Sequence, residues 1–271
     1  MYKKIGSALL FLLFTSCTPS RYAAANRSYK KQVRAYARIL KKIPPREDSS
    51  YSGSWVGTTN FGLRKPDLVI IHHTAEQDCD QTLKTFTNPA TQVSAHYVIC
   101  KNGTIYHMLS DYLRAWQAGV SSWGNERDIN SCSIGIELDN NGIDTFPDSQ
   151  IQSLLGLLAR LKEKYHIPTA NFIGHEDIAP TRKVDPNVHF PWELLASQGF
   201  GYWYGDTSQI MVPADFDDVE ALRVIGYAVT DSAAAIEAFK RHFEGQDSSR
   251  TFCPRDRKIL YSLMRRYESP D

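Results

Sequence analysis

The feature that most constrains this chain is Leu68-Val69-Ile70-Ile71, four apolar residues in a row that run directly into His72-His73. A short run of this kind, with no polar alternation, suits a strand buried on both faces. Such a strand needs other strands at its edges and cover above and below, and the chain offers both. Residues 94–100 and 104–109 read as two strands joined by Lys101-Asn102-Gly103, and Asn-Gly between such segments is the strongest short hairpin signal. Residues 133–138 alternate Ile134 and Ile136 with small residues, and 171–174 read as a further short strand. A helix is expected over residues 148–165, with Ile151, Leu154, Leu155, Leu158, Leu161 and Tyr165 on one face, closed by Pro168. A shorter one fits 82–87. The fold class is therefore α/β in the α+β sense, a mixed central β-sheet flanked by helices.

Four segments follow. Residues 1–17 read as a leader: Lys3 and Lys4 form a positive start, and Ile5 to Phe14 is too short to span a bilayer. The run ends in Thr15-Ser16-Cys17, small residues directly before a cysteine, which resembles a bacterial lipoprotein signal with Cys17 as the lipidated first residue. Thr18 in place of Asp after that cysteine points to the outer membrane, by analogy with the enteric sorting pattern. Residues 18–66 read as a tether. Within it Tyr29, Val33, Tyr36, Ile39 and Leu40 recur at helical spacing among Lys and Arg, up to Pro44-Pro45. That pattern fits a solvated or packing helix, or a basic helix at anionic lipid headgroups. Residues 49–62, rich in Ser, Gly and Thr, read as loop. Residues 67–205 form the main domain. Residues 206–271 carry three helix candidates, 219–227, 232–243 and 255–267, expected as a small bundle of their own.

Composition excludes little but is useful in two places. Without Lys3 and Lys4 the 31 basic side chains fall by two to 29, against 30 acidic, so nothing steers the chain toward nucleic acid. Cys79, Cys100, Cys132 and Cys253 would be free to form disulfides in an oxidising compartment, with the pairing open. They contain no CxxC pair, which argues against a cysteine zinc site.

Potential metal ligands gather where strands end. His72 and His73 follow the buried run, His175 follows 171–174, and Asp185 lies in the loop Ala179-Pro180-Thr181-Arg182-Lys183-Val184-Asp185-Pro186. A catalytic zinc takes three protein ligands from N and O donors and keeps a position for water. Two histidines from separate strand ends and one loop aspartate satisfy that count, although such residues are as often structural. Neighbouring side chains on a strand point to opposite faces, so His72 and His73 cannot both face one metal.

Five segments in order, Ile70-Ile71-His72-His73-Thr74-Ala75, Val93-Ser94-Ala95-His96-Tyr97, Ala115-Trp116-Gln117-Ala118-Gly119, Ile134-Gly135-Ile136-Glu137 and 174–186, resemble type 2 N-acetylmuramoyl-L-alanine amidases. These are zinc enzymes of the peptidoglycan-recognition type. The resemblance runs from Asp67 to about Gly201. It implies zinc (Zn2+) held by His72, His175 and Asp185, with Glu137 and Lys183 as catalytic groups. It also implies hydrolysis of the bond between N-acetylmuramic acid and L-alanine in peptidoglycan or muropeptides. The last three helices resemble a peptidoglycan-binding module. On this pattern His73 is a packing or pocket-wall residue and His96, the strongest competing ligand candidate, is a neighbouring strand residue. His107, His166, His189 and His242 read as structural or surface groups. Glu137 also fits a salt-bridge partner of Arg182 or Lys183. Two departures stand out. Asn187 replaces the usual Gly after Asp185-Pro186, where a positive φ favours Gly or Asn. Gln117 stands where relatives often carry His, which bears on substrate contacts more than on metal. Two other readings fit less well. A non-catalytic muropeptide-binding protein would typically have lost a ligand, and the commonest zinc-peptidase design would show a His-Glu-x-x-His helix.

Overall fold

A computed structural model describes residues 21–42, 60, 62–245 and 249–269. The chain runs through α1 (Ala23–Lys42), β1 (Leu68–His73), α2 (Cys79–Thr87), β2 (Tyr97–Ile99), β3 (Ile105–His107), α3 (Ile129–Cys132) and β4 (Ser133–Leu138). It continues through α4 (Asp148–Tyr165), β5 (Phe172–Gly174), α5 (His175–Ile178), α6 (Trp192–Ser197), α7 (Asp218–Ile225), α8 (Ser232–Glu244) and α9 (Pro254–Glu268). Residues 1–61 and 62–271 are separate units. The expected leader with Cys17 and most of the 49–62 loop lie outside the described residues.

In the second unit the apolar run becomes β1, set inside a five-stranded sheet of order β3-β2-β4-β1-β5. Its neighbours β4 and β5 are both parallel to it, and β2 is parallel to β4. Only the β2–β3 hairpin is antiparallel, turning at Gly103 with φ +84°. The sheet is mixed, as expected. The two hairpin strands are shorter than the sequence pattern reads: Ser94 N–H bonds to the Trp116 carbonyl in a loop, and the His96 carbonyl accepts from both Met108 and Leu109 N–H.

Alternation along β1 sorts the core into two halves. Val69 and Ile71 point to one face with Ile134, Ile136 and Leu138, where α4 covers them with Ile151, Leu154, Leu158 and Leu161. Leu68 and Ile70 point to the other face with Ile173, and here the cover is α7, α8 and α9 through Leu222, Ile225, Phe239, Phe243, Ile259 and Leu260. Each such aliphatic or aromatic burial contributes about 1.5–3 kcal/mol. The three C-terminal helices, expected as a bundle of their own, therefore share one core with the sheet. The reason is physical: Leu68, Ile70 and Ile173 leave an apolar sheet face to cover, and each helix has an apolar face to place.

The helix ends follow local chemistry. Asp217 and Asp231 cap α7 and α8 through backbone N–H groups of their first turns. His166 closes α4 in the left-handed region at φ +54°, two residues before Pro168. A disulfide joins Cys79, first in α2, to Cys100 just after β2, across a separation of 21 residues. A loop of that size is worth about 3 kcal/mol. Cys132 and Cys253 are free thiols.

Candidate active site

Strand register assembles the site. Ile71 pairs with Gly174, so His72 and His175 leave neighbouring strands side by side, and His72 pairs directly with Glu137 on β4. By alternation His72 follows Leu68 and Ile70 onto the face of the C-terminal helices. His73 turns the other way, against Gly142. The opposed orientation expected for the two histidines is present.

His72, His175 and Asp185 converge and are all buried. His72 Nδ1 lies 2.9 Å from His175 Nδ1, and each is 3.0 Å from Asp185 Oδ2. The far side of each ring is committed to an oxygen acceptor. His175 Nε2 faces the Ala118 carbonyl at 3.1 Å, which can only accept. His72 Nε2 faces Gln117 Oε1 at 2.5 Å. The orientation of that amide is set by a relay: Ser133 Oγ donates to the Ile129 carbonyl at 2.6 Å and so accepts from Gln117 Nε2 at 2.8 Å. Both Nε2 atoms therefore carry hydrogens, and both Nδ1 atoms turn lone pairs toward each other and a carboxylate oxygen. Three electron-rich atoms packed this closely need a positive charge among them. Two imidazole nitrogens and one carboxylate oxygen are the donor set of a catalytic zinc, and the outward hydrogen bonds are the second layer such histidines carry. The residues fit the ion.

The electrostatics express the same demand. Burial acts to lower His72, but Glu137 and Asp185 outweigh it and raise its pKa. His175 is pushed down to about 4 by burial and by His72. Burial acts to raise Asp185, yet the two histidines hold it well below the usual carboxylate range. Glu137 is raised to about 7, chiefly by burial, with Asp185 adding to the rise while His72 and Lys183 oppose it. Its residue is only half-buried, but Oε2 is enclosed and has no hydrogen-bond partner. Among the described residues the Lys183 ammonium makes no hydrogen bond or ion pair, so it is available to a ligand. Arg182 is spent elsewhere, donating to the Ala118 and Val120 carbonyls at 2.7 and 2.8 Å. The alternative salt bridge from Glu137 to Arg182 or Lys183 is not formed.

The other histidines have other work. His96 is fully buried, with Nδ1 accepting from Gly135 N–H at 3.1 Å and Nε2 facing the Leu113 carbonyl at 3.0 Å. Both nitrogens are used, which removes it as a ligand. His107 pairs with Asp111, His166 caps α4 and His189 is exposed.

Sequence reasoning missed three supports. Gln117 meets one of the candidate ligands, because it orients His72. It reaches that far only because Gly135 has no side chain: a Cβ there would stand 2.7 Å from Gln117 Cγ. Asn187 has no positive φ. It replaces Gly because its amide ties loops together, donating to Asn140 Oδ1 and the Asp144 carbonyl and accepting from His189 N–H. Finally, Glu176 and Asp177 on α5 are held by Tyr227, Arg241 and His242 from the C-terminal helices and the turn after α7. The departures of Gln117 from His and of Asn187 from Gly were visible signals, although their partners were not. The contacts to Glu176 and Asp177 join segments 50 to 65 residues apart, and no local pattern announces them.

The family model of N-acetylmuramoyl-L-alanine amidases matches residues 62–188. The chain is 40% identical over 152 residues to the N-acetylmuramoyl-L-alanine amidase AmiD of Escherichia coli K12, covering 50% of this chain and 54% of that one. It is 30% identical over 155 residues to the 1,6-anhydro-N-acetylmuramyl-L-alanine amidase AmpD of Enterobacter cloacae, covering 55% and 72%. The chain spans about half the length of the first curated relatives it matches. Among solved structures, AmiD from E. coli in complex with anhydro-N-acetylmuramic acid-L-Ala-D-γ-Glu-L-Lys superposes with a TM-score of 0.68 at 29% identity. That match covers 82% of this chain and 97% of that one. AmpDh3 from Pseudomonas aeruginosa with anhydromuramic pentapeptide gives 0.69 at 29%, covering 80% and 98%.

Proposed function

Since the chain belongs to the N-acetylmuramoyl-L-alanine amidase family, we propose that it hydrolyses the amide between the lactyl group of N-acetylmuramic acid and L-alanine in peptidoglycan or muropeptides. The observation that carries this reading is the convergence of His72 Nδ1, His175 Nδ1 and Asp185 Oδ2 beside Glu137 and an unpaired Lys183. The relatives captured with anhydro-muramyl peptides support the substrate class.

His72, His175 and Asp185 would hold zinc. When bound, the ion supplies Lewis acidity and lowers the pKa of a water toward about 7. The remaining work belongs to the chain. Gln117 and the Ala118 carbonyl keep both ligand rings in the tautomer with Nδ1 bare. Glu137, poised near neutrality by burial, takes a proton from the attacking water and returns it to the departing L-alanine nitrogen. Lys183 offers its ammonium to the negative charge that grows on the carbonyl oxygen, a contribution typically worth a hundredfold or more in rate.

The same reading takes Cys17 as the acylated first residue of the mature chain, anchored in the outer membrane and facing the periplasm. Its support is the leader pattern of residues 1–17 alone. Mass measurement of the mature N-terminal peptide tests it: an acylated Cys17 is expected, and Cys17→Ser should release the protein from membranes.

Incubation of purified protein with a muropeptide, with and without a chelator, tests the chemistry. Free stem peptide beginning at L-alanine, lost on chelation and restored by zinc, is the expected product. Binding without product would mark a recognition protein, and cleavage within the stem would mark a peptidase.

A further inference from the structure

α1 belongs to the first unit and is the most polarised helix among the described residues. Its sequence AAANRSYKKQVRAYARILKK holds seven Lys and Arg and no Asp or Glu. At about 100° per residue, Tyr29, Val33, Tyr36 and Leu40 fall within a stripe roughly 60° wide. Arg27, Lys30, Lys31, Arg34, Arg38 and Lys41 fall within an arc of roughly 120° on the other side. Residues 26–41 are all exposed, and the stripe is open as well: Val33 is 37% exposed, Tyr36 52% and Leu40 67%.

An open apolar stripe facing water is unfavourable unless something covers it, and the rest of the helix says what. An apolar protein groove would account for the stripe but not for a wholly cationic opposite face. Peptidoglycan carboxylates would account for the charge but not for Val33, Tyr36 and Leu40. A bilayer surface accounts for both: aliphatic groups and tyrosine rings enter the boundary beneath the headgroups, while long Lys and Arg stems reach up to phosphates. No described helix is long and apolar enough to cross a membrane, so α1 would lie in the surface, about 30 Å long. We propose that Ala23–Lys42 is an in-plane membrane helix that docks on anionic phospholipid, its stripe inserted and its basic arc at the headgroups. This stands apart from the amidase reading and from acylation of Cys17. It would hold residues 23–42 at the leaflet surface whether or not Cys17 is acylated.

The test uses residues 18–271 without an acyl group. Sedimentation is measured with phosphatidylcholine vesicles, with vesicles containing phosphatidylglycerol, and with purified peptidoglycan sacculi, at low and high salt. Binding to the anionic vesicles is expected to exceed that to neutral ones by at least about tenfold and to weaken with salt, since each basic side chain adds to the attraction. Lys30→Gln, Lys31→Gln, Arg34→Gln and Arg38→Gln together should lower it about tenfold or more, and Val33→Ser with Leu40→Ser should lower it independently. Hydrolysis of a soluble muropeptide should be unchanged in both variants, which shows the second unit intact. The proposal is overturned by equal binding to neutral vesicles, by full retention of vesicle binding in either variant, or by binding to sacculi alone.

Discussion

Two buried groups of His, Asp and Glu sit next to each other in this chain and resemble each other on paper. One is His72, His175 and Asp185; the other is Glu176, Asp177 and His242, beginning one residue after a member of the first. In both, the ligand atoms lie within 4.8 Å of one another and all three residues are buried. What separates them is where the hydrogens are. In the second group Asp177 Oδ1 accepts from Tyr227 at 2.6 Å, while Oδ2 accepts from Gly174 N–H at 2.7 Å and from His242 Nδ1 at 2.8 Å. Glu176 Oε2 is paired with Arg241 at 3.1 Å. The group's carboxylate oxygens, Glu176 Oε1 apart, already take hydrogens from protein donors. In the first group the donors all point outward, and the inward atoms are left for a cation. Residue type alone does not make a metal site; the absence of competing donors does. The second group is a knot that fixes α5, and with it His175, against the C-terminal helices.

Substitutions in the two groups should give opposite signatures. His175→Ala is expected to abolish zinc retention, measured by metal analysis of the purified protein, and to lower amidase rate at least about a thousandfold. Chelated variant and chelated parent should unfold at similar denaturant concentrations. Asp177→Ala should do the reverse in kind: it leaves every ligand in place but breaks a buried hydrogen-bonded pair, costing about 3–5 kcal/mol of unfolding free energy. Equal loss of metal and of stability in both variants would erase the distinction drawn here.

A finer test lies in the layer behind the ligands. Gln117→Leu removes the acceptor for His72 Nε2 while keeping much of the bulk over Gly135, so zinc affinity should fall about 10–100-fold. Gln117→Glu keeps an acceptor and should bind zinc nearly as well as the parent. A competition titration against a chromophoric chelator reads both. If Leu and Glu behave alike, Gln117 is packing and not a positioning residue.

Much of this was legible before any coordinates. The run Leu68–Ile71 announced the central strand, the Asn102-Gly103 turn announced the hairpin, and the face Ile151 to Tyr165 announced α4, because each signal is local and repeated. His72, His175 and Asp185 were legible as potential ligand types at strand ends and in a loop, and the structure brings the three together. The register that places Glu137 beside His72 was not legible, since residues 65 apart meet only through sheet order. The docking of α7, α8 and α9 on the sheet was not legible for a related reason. Their apolar faces required a partner, but a bundle of three satisfies periodicity as well as a sheet does. Tyr227, Arg241 and His242 look like ordinary helix and turn residues until Glu176 and Asp177 are seen opposite them.

The smallest expected effect concerns two carboxylates, one from each neighbourhood, that share a defect. Glu137 Oε2 and Glu176 Oε1 are both enclosed without a hydrogen-bond partner. Burial raises both above the ordinary value: at Glu176 the neighbouring Asp177 adds to the rise although Arg241 bonds its other oxygen, and at Glu137 Asp185 adds to it while His72 and Lys183 oppose it. With the Glu137 pKa near 7 when folded and near 4.5 when unfolded, the metal-free folded state holds the extra proton between those values. Stability from this group is then fully present below about pH 4.5 and is lost as pH rises through about 7, with a slope of at most about 1.4 kcal/mol per pH unit. Glu137→Gln cannot titrate, so in chelator the parent should lose stability relative to the variant across that window and run parallel to it above. Denaturant unfolding at half-unit pH steps measures the difference. A flat difference would mean that Glu137 is already ionised in the metal-free fold, its charge answered by His72 and Lys183.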